Sequence, residues 1–241
     1  PSANKNGSAY GIFSLDTAGT VSQLTAEGIR MQVMNSIIDT SVDSVDVWVN
    51  NTKWTSKLPF NTFATATIVP VGVYDITISR KNSTDTSSNV LFKLSGLPAS
   101  SGQSLFGMAT GVVNPSQYAS NPDGVNTAVR ISGTTGYRET ANNSGQVDIA
   151  FFNGSIDAPS VDINRISSTG LKIANDVKYA DVSFNYVSLT PGKYIINITN
   201  KDSNIFYKTY TLDLTGKAGQ AAILFTSGAV SYTHLTLPTK A

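Results

Sequence analysis

One pattern occurs twice in the chain and constrains its fold more than any other feature. Residues 152–163 read Phe-Asn-Gly-Ser-Ile-Asp-Ala-Pro-Ser-Val-Asp-Ile, while residues 34–39 read Met-Asn-Ser-Ile-Ile-Asp and lead into Ser-Val-Asp-Val at 44–47. Each copy has the pattern of a strand, an aspartate-bearing turn and a second strand. The rest of the chain is therefore expected to complete two copies of one β module.

The spacing of matching residues supports the duplication. Asp46 and Asp162 are 116 positions apart, and Phe60 and Tyr179 are 119 positions apart, a difference that a short loop insertion explains. This period is far longer than the 20 to 50 residues that are typical of solenoid repeats. Each copy is therefore predicted to be a self-contained domain.

The apolar pattern predicts the fold class. Short runs rich in Val, Ile, Thr, Phe and Tyr are interrupted by clusters of Gly, Pro, Asn or Asp, and no window sustains a helical period. We predict an all-β fold of tandem antiparallel β-sandwich domains, immunoglobulin-like or transthyretin-like in plan. The continuous apolar runs within 102–111 and 219–228 predict strands that are buried on both faces.

Alternation assigns faces to the strand at 44–50. Val45 and Val47 are predicted to face the core, whereas Asp46 and Trp48 are predicted to lie on the opposite face.

The repeat also predicts the domain boundaries. Five segments are expected: 1–28 as the connector remnant of a preceding repeat, 29–113 as the first β-sandwich repeat, 114–145 as a connector, 146–229 as the second β-sandwich repeat, and 230–241 as a non-native tail.

The tail prediction comes from the coding possibilities of the last residues. The run from Val230 to Thr239 can be encoded by the transposase adaptor that is ligated to DNA in sequencing libraries. Residues from about Val230 are therefore expected to be translated adaptor. The only histidine, His234, lies in this run, so no catalytic role is predicted for it.

Composition argues against several classes of function. The chain has 17 Lys and Arg residues against 16 Asp and Glu, which gives no basic surface to attract nucleic acid. Cysteine is absent, and so are a thiolate nucleophile and cysteine-ligated metals. No apolar run approaches the roughly 18 residues needed to span a bilayer. We therefore predict no enzyme activity, no cofactor, no nucleic-acid partner and no membrane span.

The motifs together resemble a known family. The order Gly-Ser-x-Asp-Ala-Pro-x-Val-Asp-Ile at 154–163, Leu-x-Pro-Gly-x-Tyr at 189–194 and a Gly-Gln-led apolar strand at 219–228 resembles the bacterial domain of unknown function 4397. The first copy departs from this order, since residues 40–43 replace the Ala-Pro of the turn. The resemblance implies a β-sandwich of a secreted Bacteroidota-type protein, at the outer surface or in the periplasm of a Gram-negative bacterium. It implies no catalytic residues.

Two pairs of carboxylates are candidate metal ligands. Asp39 with Asp46, and Asp157 with Asp162, each bring two hard oxygen donors near a turn, as Ca²⁺ requires. The alternative is that they cap turns and accept hydrogen bonds within the sheet. No Asp-x-Asp-x-Asp-Gly loop accompanies them, which favours the alternative.

Three aromatic residues of the first copy are candidate ligand-binding residues. Trp48, Trp54 and Phe60 are suited to form a stacking platform for sugars. The alternative is packing within the core or between domains, which the absence of tryptophan from the second copy favours.

These observations support one leading functional hypothesis and two alternatives. The leading hypothesis is a non-catalytic extracellular or cell-surface repeat with a structural or adhesive role, whose partners are a surface protein or polysaccharide and neighbouring repeats of the same chain. The alternatives are a carbohydrate-binding module and an accessory domain of a larger secreted enzyme.

Overall fold

The computed structural model describes residues 13–23, 28–101, 103–166, 170–202 and 205–229. Within these ranges nearly all regular structure is β, and the single helical element is a 3₁₀ turn at Pro115–Gln117. The prediction of an all-β chain of antiparallel β-sandwiches is confirmed. The first two strands, β1 (Phe13–Leu15) and β2 (Val21–Gln23), form a separate two-stranded sheet.

The first sandwich is built from nine strands in two sheets. They are β3 (Gly28–Ile37), β4 (Ser44–Val49), β5 (Thr52–Pro59), β6 (Thr62–Phe63), β7 (Thr67–Pro70), β8 (Gly72–Arg80), β9 (Val90–Ala99), β10 (Ser104–Gly111) and β11 (Arg130–Thr134). One sheet has the order β5-β4-β8-β9, and the other has the order β11-β10-β3-β6, with β7 also paired to β3. All these pairs are antiparallel except β3 with β10, which is parallel.

The second sandwich is built from seven strands. They are β12 (Val147–Ser155), β13 (Val161–Arg165), β14 (Lys172–Val177), β15 (Val182–Leu189), β16 (Lys193–Asn200), β17 (Phe206–Asp213) and β18 (Ala221–Gly228). Its sheets have the orders β15-β12-β18 and β14-β13-β16-β17. Its first and last strands, β12 and β18, again pair in parallel. The pairing therefore follows the same plan in both sandwiches.

Strand alternation explains how the first core forms. Ile29, Met31 and Val33 alternate along β3 and point into the space between the two sheets. Val45 and Val47 of β4 face them from the other sheet and are fully buried, as the alternation predicts. The second core repeats this arrangement, with Val147, Ile149 and Phe151 of β12 in place of the β3 residues.

The outer face of β4 is buried as well. Asp46 is fully buried and Trp48 is only 6% exposed, although both point away from the valine core. Ser83, in the turn after β8, contacts both side chains and covers this face. Period-two alternation identifies the two faces of a strand but not what covers each of them.

The connecting segment contributes to the first sandwich. β11 lies inside the predicted connector at 114–145 and pairs antiparallel with β10 at the edge of the sheet. This segment is therefore partly a strand of the first sandwich.

The two sandwiches pack against each other through their β3/β10 and β12/β18 sheets. Met34, Phe106 and Met108 on the outer face of the first sheet are buried against Phe152 of the second. Tyr137, Val182, Ile223 and Phe225 surround this cluster. Because Leu105 and Ala109 of the same strand point into the first core, β10 is buried on both faces, as its apolar run predicts.

The part of the chain that the structure describes includes no helix with the length and apolar character needed to cross a membrane.

Candidate functional site

A buried carboxylate lies at the same place in both sandwiches. Asp46 of β4 accepts hydrogen bonds from Lys53 Nζ at 2.8 Å, from the Lys57 backbone N–H at 2.9 Å and from the Ser83 backbone N–H at 3.0 Å. The Ser83 hydroxyl donates a further bond at 2.9 Å. The charge and the lone pairs of this carboxylate are therefore satisfied within the first sandwich.

Asp162 of β13 repeats the arrangement. Lys172 Nζ lies 2.6 Å from its Oδ2, and the backbone N–H of Asp176 donates to its Oδ1 at 2.7 Å. In each sandwich the lysine comes from the neighbouring edge strand, β5 or β14. The pair is therefore a shared structural device in which an ammonium neutralises a buried carboxylate.

Hydrogen bonding keeps Asp46 ionised. Burial by itself raises the pKa of this carboxyl, but the bonds from Lys53, Lys57 and Ser83 outweigh that effect. The pKa of Asp46 is therefore lowered from its ordinary value of 3.8.

Asp39 joins the first turn to the start of the connector. Its Oδ1 accepts from the backbone N–H and the hydroxyl of Ser41, and its Oδ2 accepts from the backbone N–H of Val113 and of Asn114. Burial raises the pKa of the Asp39 carboxyl, but these donors together lower it below the ordinary value. Asp157 is half-buried in the matching turn of the second sandwich.

The predicted metal ligands are not assembled into a cation site. In the described ranges no group of three or more His, Cys, Asp or Glu side chains is placed to hold a metal ion. A cation at Asp46 or Asp162 would have to displace the lysine ammonium that already occupies the carboxylate. Asp39, Asp46 and Asp162 are arranged as the capping and hydrogen-bonding alternative describes.

The three candidate aromatic residues do not form one platform. Trp48 is buried, its Nε1–H donates to Ser83 Oγ at 2.9 Å, and Lys53 Nζ lies 4.7 Å from its ring centroid. A sugar ring therefore has no access to Trp48, and its prediction as an exposed ligand-binding residue is wrong. Trp54 is half-buried with its Nε1–H bonded to Thr65 O at 3.2 Å, and Phe60 is 40% exposed.

Trp54 and Phe60 line two different depressions. Trp54 borders an apolar cleft of about 590 Å³ between the sheets of the first sandwich, together with Met31, Val33, Ile76, Leu94, Leu105 and Ile131. Phe60 borders a second depression of about 700 Å³, which we call the junction groove. It is lined by Ile37, Ile38, Asp39, Thr40, Val42, Asp43, Phe60, Gln117, Tyr118, Ser227, Gly228 and Ala229.

The junction groove lies where the two sandwiches meet. The turn after β3 forms one wall, and the end of β18 forms another. Beside it, the hydroxyls of Ser36 and Ser227 lie 2.9 Å apart and link the two sandwiches. The groove is therefore continuous with the inter-sandwich interface.

The matching turn of the second sandwich is covered by the connector. Asn121 Nδ2 donates to Ile156 O at 2.9 Å and to Ala158 O at 2.8 Å. Asp123 Oδ2 accepts from the Ser160 backbone N–H at 2.7 Å and from its hydroxyl at 2.6 Å. The connector thus binds the second turn through polar side chains.

Sequence reasoning assigned no role to four of the polar residues that organise this region. Asn35 Nδ2 donates to Leu58 O and its Oδ1 accepts from Ile37 N–H, and Asn153 makes the matching bonds to Val177 O and Ser155 N–H. The usable signal was an asparagine four positions before the turn aspartate in both copies. The connector residues Asn121 and Asp123 carry no such repeat signal.

The fold and its polar contacts define an all-β protein of two packed sandwiches. The chain belongs to the family described as Domain of unknown function (DUF4397), whose model matches residues 31–164, more than half of the chain. The matched range begins in β3 and ends in β13, so it includes the connector. No curated protein matches the sequence.

One comparison with solved structures is weak. The Bacillus anthracis TIE protein aligns with 86% of this chain at 11% sequence identity and a TM-score of 0.23. The alignment spans 36% of that protein.

Proposed function

We propose that the chain is a tandem of two copies of one β module and that it acts as a non-catalytic structural and adhesive unit on the outside of a Gram-negative bacterial cell. The observation that carries this proposal is the inter-sandwich interface. Met34, Met108 and Phe152 are fully buried there, with Phe106 only 4% exposed. A spacer needs such contacts, because two domains joined only by a flexible linker do not hold a fixed geometry.

The polar contacts of the connector support a rigid unit. Its first half bonds to the second turn through Asn121 and Asp123. Its second half contributes Arg138, whose guanidinium lies 2.9 Å from the buried Asp148 of β12. Since β11 lies between these two parts and pairs with the first sandwich, the connector is fixed to both sandwiches.

The occupied carboxylates also support a structural role. Catalysis by paired carboxylates needs side chains that can exchange protons with a substrate. Asp46 and Asp162 are instead buried beneath lysines, and the pKa of Asp46 is lowered by its hydrogen bonds. Such groups stabilise a fold.

Small-angle X-ray scattering on the full chain tests the rigid-unit proposal. The wild-type scattering curve is expected to fit a single packed pair of sandwiches. Replacement of Phe225, which contacts Phe63 with ring centroids 6.4 Å apart, by aspartate is expected to increase the radius of gyration. A wild-type curve that requires an ensemble of separated domains would contradict the proposal.

The proposed location and partners need separate experiments. Brief protease treatment of intact source cells is expected to remove the protein, whereas an intracellular protein would survive it. A screen of surface proteins and polysaccharides from the same cells is expected to yield a binding partner. Turnover of a substrate by the purified chain would refute the non-catalytic role.

A further inference from the structure

We propose that a second copy of this chain adds its strand β1 to the open edge of β18, in the way that β11 is added to β10 within the first sandwich. The copies then associate head to tail. This inference rests on the proposed structural and adhesive role and identifies the partner as another copy of the same chain.

The outer edge of β18 presents backbone groups that a further strand can bond. Asp148 N–H of β12 donates to Gln220 O, so the N–H and C=O groups of even-numbered residues face β12 and those of odd-numbered residues face the other edge. Among the described residues, only Glu139 O reaches that edge, where it accepts from Ala221 N–H at 3.1 Å. Residues 223–227 therefore form an open edge for strand addition.

The matching edge of the first sandwich is covered by β11. Gly111 and Gly228 end the two matching strands, so residues 106–110 of β10 correspond to residues 223–227 of β18. β11 pairs antiparallel with residues 106–110. The open span on β18 thus has the same position and length as the span that β11 covers on β10.

Burial differs between the two strands as this difference in pairing predicts. Most residues of β10 are buried, whereas every residue of β18 is only half-buried. β11 contacts β15, the strand beside β12, and β6 lies in the matching place beside β3. A strand on the open edge of β18 would therefore lie against β6. It would cover Phe63 of β6, which is 46% exposed and whose ring centroid lies 6.4 Å from that of Phe225.

Strand β1 holds the place in the repeat that β11 holds. Asn35 and Asn153 are 118 positions apart, and the same offset relates Phe13 to Ile131. Residues 13–15 therefore correspond to residues 131–133 of β11. A strand with the same place in the module is the natural occupant of the matching edge.

The hairpin of β1 and β2 is preformed and exposed. Asp16 Oδ1 accepts from two backbone N–H groups of the turn, at 2.9 and 2.8 Å. Residues 14–21 are all exposed, with Leu15 at 70% and Val21 at 64%. A two-stranded hairpin is only marginally stable by itself in water, so it gains stability when a third strand pairs with it. Since β1 is exposed in its own chain, the open edge that it meets belongs to a second copy.

The register of β11 on β10 predicts which side chains meet. Gly107 lies opposite Gly133 there, and their counterparts are Leu224 of β18 and Leu15 of β1. Leu224 packs against the second core. Leu15 therefore moves from water to the edge of an apolar core when the strands pair.

Sedimentation equilibrium of the full chain tests the proposal. The pairing of one short strand buries a small interface, so the dissociation constant is expected to be on the order of 0.1 mM. The average mass should rise from that of one chain at micromolar concentration to that of several chains at about 0.5 mM, because head-to-tail contacts do not close after two copies.

Two variants each remove one side of the contact. Leu15→Asp places a charge on β1, and Ile223→Pro removes an N–H group from the open edge while leaving the bonds to β12 in place. Each variant alone is expected to remain a single chain. A 1:1 mixture is expected to stop at dimers, because only one intact β1 and one intact β18 edge can then meet.

A matched control separates the contact from a general effect of charge. Ile195→Asp makes the same change at another exposed aliphatic residue, 52% exposed on β16 in the sheet opposite β18, and is expected to leave association unchanged. Circular dichroism checks that every variant is folded.

Three results would overturn the proposal: a wild-type mass that stays constant up to about 0.5 mM, association of Leu15→Asp equal to that of wild type, or no dimers in the mixture of folded variants. The second result would indicate that two β18 edges pair with each other. Scattering at micromolar concentration, below the range of association, still reports on packing within one chain. Failure of the strand addition and failure of the rigid-unit proposal are therefore distinguishable.

Discussion

Replacement of Asp46 by alanine is expected to lower the free energy of unfolding by about 3 to 5 kcal/mol. Asp46 is fully buried and holds together three parts of the first sandwich: β4, β5 and the turn after β8. Alanine leaves the donors of β5 and of the turn after β8 without their acceptor.

The magnitude follows from which donors can reach water. The Lys53 side chain is 30% exposed, so its ammonium can turn towards solvent at modest cost. The backbone N–H groups of Lys57 and Ser83 lie against the removed carboxylate, and each costs about 1 to 3 kcal/mol when a buried donor is left unsatisfied. Asp46→Asn keeps one acceptor oxygen and is expected to lose about half as much.

Equilibrium unfolding in urea, followed by tryptophan fluorescence, measures the change. Trp48 donates to the same Ser83, so its emission reports directly on this part of the structure. The control is Asp213→Ala, which breaks the exposed Lys193–Asp213 pair and is expected to move the midpoint little. Equal effects of the Asp46 and Asp213 substitutions would refute the argument from burial.

Three further predictions test other parts of the structure. Because the folded-state pKa values of Asp46 and Asp148 lie below 3.8, the stability that these carboxylates contribute is complete above that pH and is lost as the pH falls through the lowered values. The thermal unfolding midpoint, measured from neutral to acidic pH, should therefore fall at acidic pH. Asp46→Asn should flatten this dependence of the midpoint on pH. Met108→Ala should cost about 2 to 5 kcal/mol in urea unfolding, since Met108 is fully buried between the sandwiches. Gly111→Ala should sharply reduce the yield of soluble protein, because Gly111 has φ +104° and an added Cβ would lie 2.6 Å from Ala128 O.

Local pattern was sufficient to predict the fold class and the core. Period-two alternation placed Val45 and Val47 in the core, and the apolar run at 102–111 predicted burial on both faces. The same prediction for 219–228 is wrong, because every residue of β18 is only half-buried. The burial of Trp48 could not be predicted from the strand itself, because Ser83, which covers it, lies 35 residues later in the chain. The sequence of a strand does not indicate that a loop from a distant part of the chain will cover it.

The contact between the two sandwiches could not be predicted from the sequence, for a related reason. The outward Phe106 and Met108 of β10 have the same apolar character as the inward Leu105 and Ala109. Alternation therefore indicates two buried faces but not which sheet covers the second. The strand within the predicted connector, β11, was missed because its sequence contains a glycine and two hydroxyl residues in five positions.

The candidate residues were predicted in part. The aspartates of the duplicated turn are important, but as acceptors for lysine and backbone donors. The junction groove could not be foreseen, because its lining residues lie far apart in the chain and come together only where the two sandwiches meet.

Differential scanning calorimetry of the full chain tests most directly the claim that the two sandwiches form one rigid unit. The buried interface and the fixed connector predict one cooperative transition, with equal calorimetric and van't Hoff enthalpies. Phe225→Asp, which places a charge in that interface, is expected to separate it into two transitions. Two separate transitions in the wild-type chain would contradict the claim.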